Sequence, residues 1–111
     1  MDNTFFVSLT PAQAAQVIDD AVLNGSITGE KIDDYTQYTP DGRFFHVAVY
    51  EKHYWRASNR LTLTVILDNF MGSTRVHCIG GGGGEGLFRF DWGASDSFQD
   101  TVVKALAAYR I

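Results

Sequence analysis

Few side chains in this sequence have the chemistry for a site, and their spacing decides what they could do together. His46 and His53 lie seven positions apart in RFFHVAVYEKHYW (43–55). On one extended strand that spacing puts them on opposite faces and roughly 23 Å apart, so they cannot share a metal ion. His77 and Cys78 are neighbours in TRVHCIG (74–80) and on a strand they also point to opposite faces, so no cysteine–histidine dyad forms between them. Cys78 is the only cysteine, which rules out an intramolecular disulfide and a two-cysteine metal or redox motif; it reads as a small buried apolar group. Glu51 and His53 share a face about 7 Å apart and have the types of an acid–base pair, although strand ends also carry such groups as plain solvated charge. Spacing identifies no serine–histidine–aspartate set and no paired carboxylates, so no catalytic residue, metal site or cofactor is expected.

The stretch VHCIGGGGGEGLFRFDWGASDSF (76–98) holds the strongest local anomaly: five consecutive glycines, Glu85, then Gly86. A Walker phosphate loop needs Lys and Ser or Thr after its last glycine, and here Leu87 and Phe88 follow. Gly81 to Gly86 satisfies G-x-G-x-x-G, but any glycine run nearly does, and no βαβ unit surrounds it. The amides of Gly82, Gly83 and Gly84 could form an anion nest, yet Glu85 sets a carboxylate in the same loop. Glycine is needed where a chain leaves a sheet through positive φ, or where a ligand or neighbouring backbone comes too close for a Cβ. The 80–86 loop is therefore either a joint or a flap over a small ligand. Asp91 and Trp92 lie between it and a helix N-terminus, and Trp92 could cap a pocket with Phe88 and Phe90; the plainer reading makes the rings core and Asp91 a turn acceptor. Gly82, Gly83, Gly84, Glu85, Asp91 and Trp92 are the candidate ligand-binding residues.

The elements that must position these groups follow from periodicity. TFFVSLT (4–10) suits a short strand. Thr10 as N-cap, Pro11 at the first helical position and Gln13 completing a capping box start a helix over 11–24, with Ala14, Ile18, Ala21 and Val22 as its inward stripe and Asn24-Gly25 as a left-handed stop. The period then becomes two. An irregular strand at about 27–38 pairs through the TPDG turn (39–42) with the strand from Arg43, and RLTLTVILDNF (60–70) sets Leu61, Leu63, Val65 and Leu67 on one face. The strand 74–80 turns Val76 and Cys78 one way and Arg75, His77 and Ile79 the other. A last helix starts near Ser95 or Ser97, with Phe98, Val102, Ala105, Leu106 and Tyr109 as its stripe, and LFRFDW before it reads as a short extended piece. The order β-α-β-β-β-β-α implies an α+β fold, an antiparallel β-sheet with helices packed on one face, formed by residues 1–111 as a single domain. It is similar in element order to one half of the TATA-binding protein (TBP-like) and to the helix-grip folds, a likeness of topology that says little about function.

If Phe45, Val47 and Val49 point at the helices, alternation leaves Phe44, His46, Ala48, Tyr50 and Tyr54 on the opposite face. So aromatic a face marks a partner or ligand surface, here a homodimer contact through Phe44, His46, Tyr50 and Tyr54; the alternatives are that the faces are swapped or that LFRFDW covers it.

YEKHYWRASNRLTLTVIL (50–67), RVHCIGGGGGEGLFRFDWGASDSF (75–98) and the closing helix together resemble a family of small uncharacterised bacterial proteins, a domain of unknown function in which a glycine-rich segment precedes an LFxFDWGA-like stretch. The resemblance implies a bacterial, cytoplasmic, single-domain protein and assigns no activity, cofactor or site residue. Composition narrows the field further. The 111 residues suit one core, the formal charge is −4 and the basic residues are scattered, so a nucleic-acid partner is not expected. No apolar run approaches the roughly 18 residues that span a bilayer, and MDNTFFVSL has no basic region ahead of its apolar run, so neither a membrane nor export is expected. The combined expectation is a cytoplasmic, non-enzymatic binding or assembly module that pairs as a homodimer through its sheet. The alternative is a small-ligand pocket, for a metabolite or lipid, roofed by the glycine loop.

Overall fold

The computed structural model describes residues 3–25, 29–54, 59–82 and 94–111, with no side-chain description for Tyr54, Asn59 and 94–97. Its elements are β1 (Thr4–Val7), α1 (Pro11–Asn24), β2 (Glu30–Tyr38), β3 (Phe44–Tyr54), β4 (Asn59–Asp68), β5 (Thr74–Gly82) and α2 (Ala94–Ala105), followed by a 3-10 turn at Ala107–Tyr109. The α+β order deduced from periodicity is the order found. All five strands form one antiparallel sheet in the order β1-β5-β4-β3-β2.

α1 begins as its residues dictate. The Thr10 hydroxyl accepts from the Gln13 amide at 3.2 Å, and the Gln13 side chain accepts from the Thr10 amide at 3.0 Å, which satisfies two of the amides that a helix start otherwise leaves unpaired. Its end differs from expectation. Gly25 has φ −86°, not a left-handed conformation; a Cβ there would meet the Ala21 carbonyl oxygen at 2.5 Å, so glycine supplies room rather than a positive φ. α2 starts at Ala94, which puts Ser95 and Ser97 inside its first turn.

One face of the sheet carries the core. Phe5, Val7, Ala48, Tyr50, Leu61, Leu63, Val65, Leu67, Val76 and Cys78 are buried from the strand side, and Ala14, Ile18, Val22, Phe98, Val102 and Leu106 from the helices. Burial of a Leu or Val of this kind contributes about 1.5–3 kcal/mol, so this layer holds the helices to the sheet. Lys52 also lies on this side, its ammonium 4.7 Å from the centre of the Phe98 ring and pushed by burial below the usual lysine value.

The two sheet edges differ. The β1 edge is closed by the end of the chain: Val7 bridges Arg110, the Ser8 amide donates to the Tyr109 carbonyl at 2.8 Å, and the Ile111 amide donates to Phe6 at 3.1 Å. β2 is the last strand on the other side.

Candidate functional site

Both helices pack on the core side, and among the described residues no element covers the other face of the sheet. Strand register arranges that open face in rows. One row runs Tyr35, Val47, Ile66, His77, Thr4; the next on one side runs Asp33, Val49, Thr64, Ile79; on the other side lie Gln37, Phe45, Asp68, Arg75 and Phe6. Val47, Val49, Ile66, Phe45 and Phe6 are half-buried by their in-sheet neighbours, whereas Ile79 is 46% and Tyr35 54% exposed. The Tyr35 and Phe45 rings meet at 5.9 Å. Ion pairs frame this apolar middle, Arg75–Asp68 at 2.9 Å toward one end and Arg60–Glu51 at 2.5 Å toward the other. A nonpolar centre with a charged rim is the anatomy of a protein interface.

The residues expected on the open face lie on the other one. Tyr50 is 1% exposed and donates to Asp19 of α1 at 2.5 Å; Ala48 is buried beside it. His46 sits on the same helix-side face, half-buried, with its Nδ1 2.7 Å from the Thr36 hydroxyl, and the Phe44 ring meets that of Tyr38 at a tilt, with ring centres 5.0 Å apart. Tyr54 pairs with Asn59 at the strand end, and its side chain lies outside the described residues. Alternation along β3 is as expected, but its parity is reversed. The register explains why: Ala48 opposes Val65 and Tyr50 opposes Leu63, both already committed to the core.

The helix side of β2 and β3 is polar. Lys31 is 3.0 Å from both Asp19 and Asp34, and Tyr50 holds the other oxygen of Asp19. Burial acts to lower the Lys31 ammonium, but its hydrogen bonds to Asp34 and Asp19 outweigh that, and the group titrates above the usual lysine value. The same hydrogen bond from Lys31, with its charge, holds Asp34 below the usual carboxylate range. Burial first, then the Asp19 carboxylate, raises the Tyr50 phenol well above its usual value. A lysine kept charged and a phenol kept protonated supply neither nucleophile nor base at neutral pH. This network ties the β2 edge to α1, and sequence spacing gave no sign of it.

The other chemical candidates have these partners. Glu51 is held by Arg60. His77 faces outward against Thr4 at 2.7 Å, while Cys78 is fully buried on the core side. Among the described residues no three His, Cys, Asp or Glu side chains converge as a metal site.

The glycine run is partly strand. β5 continues to Gly82, with Gly80, Gly81 and Gly82 opposite Leu63, Thr62 and Leu61, and the Gly80 amide donates to Gln99 of α2 at 3.0 Å. Gly82 has φ +83°, and a Cβ there would run into the Arg60 carbonyl, so both expected reasons for glycine hold at this one position. Gly83, Gly84, Glu85, Asp91 and Trp92, with LFRFDW, lie outside the described residues. Two cavities among the described residues lie at the opposite end of β5. One, of about 320 Å3, is lined by Val7, Leu9, Pro11, Ser73 and Thr74; the other, of about 230 Å3, by Pro11, Ala12, Tyr38 and Phe44.

The class is thus an α+β protein with a five-stranded antiparallel sheet and two helices on one face. Residues 3–110 match the model of a family of unknown function, DUF6054, and the chain belongs to that family. No curated protein and no solved structure matches it. No helix among the described residues is long and apolar enough to cross a membrane.

Proposed function

We propose that the protein is a binding or assembly module that pairs with a second copy of itself through the open sheet face. The observation that carries this reading is the apolar patch of Phe45, Val47, Val49, Ile66 and Ile79, turned away from both helices and framed by ion pairs. Strands about 4.8 Å apart with about 3.3 Å per residue give a face of roughly 500–700 Å2. Two such faces bury roughly 1,000–1,400 Å2, which reaches the range of specific interfaces. A two-fold axis near Val47 and Ile66 sets apolar rows against each other and leaves the charged rims wet.

Light scattering at micromolar concentration tests this directly: twice the 12.3 kDa of one chain is expected. Val47→Asp buries a carboxylate at the centre of the contact and shifts the mass to monomer; Thr64→Lys, which removes no large apolar group, does the same while leaving the circular dichroism unchanged. A wild-type monomer, or variants that both stay dimeric, overturns the proposal.

A further inference from the structure

We propose that β2 is a strand-addition site for an extended segment of a partner protein that carries adjacent basic residues. The proposal uses the edge of the sheet and is independent of pairing through its face. A terminal strand presents a row of unpaired amides and carbonyls, which templates another strand unless something blocks it. The β1 edge is blocked by Tyr109, Arg110 and Ile111. The β2 edge is not: among the described residues β2 pairs with β3 alone.

The edge is usable over part of its length. The register slips between Lys31 and Asp33, where Ile32 is an extra residue, and such a bulge spoils the template locally. From Asp33 to Tyr38 the pairing with β3 is continuous, a regular stretch of about 20 Å.

Charge selects the occupant. Asp33 and Asp34 are consecutive, so one points to each face, and a strand laid alongside brings its own side chains within about 5 Å of them. The Asp33 side chain makes no ion pair or hydrogen bond among the described residues, and the Asp34 carboxylate, 49% exposed, can accept from a second cation beside Lys31. Tyr35 and Tyr38, 54% and 67% exposed, offer ring faces on which arginine stacks. An incoming Lys-Arg pair is therefore matched on both faces, whereas a second copy's β2 brings the same excess of acid and is disfavoured.

The test uses the full chain and two fluorescein-labelled peptides of alternating threonine and valine, one with a central Lys-Arg pair and one with Glu-Glu. Anisotropy titration should show the basic peptide binding at least about tenfold tighter, with an affinity that falls as salt is added. Backbone amide signals of 33–38 should shift and exchange more slowly in its presence. Asp33→Lys, at an exposed position whose side chain has no partner among the described residues, should fold normally and lose about tenfold in affinity. Equal binding of the two peptides, signal changes confined to the Val47–Ile66 face, or an Asp33→Lys variant that binds like wild type overturns the proposal. Mass measured on the same samples separates this outcome from the fate of the dimer.

Discussion

Tyr50 combines a ring in the core with a hydroxyl on a carboxylate, and both parts can be removed separately. Tyr50→Phe keeps the ring and takes away the donor to Asp19, which retains Lys31. A hydrogen bond to a charged group of this kind is worth about 1.5–3 kcal/mol, and the urea midpoint should fall by that energy divided by the slope, with the slope unchanged. The parity of β3 could not be read from the sequence because Phe45, Val47 and Val49 are as apolar as Phe44, Ala48 and Tyr50, so alternation has two solutions. Asp19 was the missing cue: it follows Ile18 on the flank of α1, where a phenol from the sheet can reach it. Gly82 was more legible, since positive φ and close backbone approach are general demands for glycine. Gly82→Ala should cost about 2 kcal/mol in thermal or urea unfolding, from left-handed strain and the Arg60 carbonyl. Gly81→Ala should cost less, because its Cβ meets only the Thr62 hydroxyl, at 3.1 Å, which can rotate away.

At the scale of elements, the ion pairs of Lys31, to Asp34 on the same strand and to Asp19 on α1, make the edge strand sensitive to pH. Asp34 titrates below the usual 3.8, so its contribution is present above that pH and is lost as pH falls through the lowered value. Lys31 titrates above the usual 10.5, so its contribution is present below that pH and is lost as pH rises through the raised value. Asp34→Asn should therefore melt below wild type across the neutral range, and the gap between their melting curves should close in strong acid and strong alkali. A gap that is constant across pH would show that the pair adds nothing to the fold. α1 was legible almost to the residue because Thr10, Pro11 and Gln13 are local signals. The pairing of β1 with β5 had no local signal, since Thr4 and His77 meet only through the finished sheet. The length of β5 was also hidden, because its last residues are glycines, which ordinarily mark a strand's end.

At the scale of the whole molecule, the described residues place both helices on one side of the sheet and leave its other face uncovered among them. The proposed dimerisation through that face would make thermal stability depend on protein concentration, because mass action favours a paired native state. The midpoint of wild type should rise with concentration, while that of Val47→Asp should not. The architecture carries a further consequence for biosynthesis. β1 leaves the ribosome well before its partner strand, which is translated some 70 residues later, at about 5–20 residues per second a delay of several seconds. The pairs β2–β3 and β3–β4 can close in the meantime, so the nascent chain assembles from its middle outward. Phe5 and Val7 stay naked until that last docking step, which makes the opening strand the piece a chaperone would have to shield.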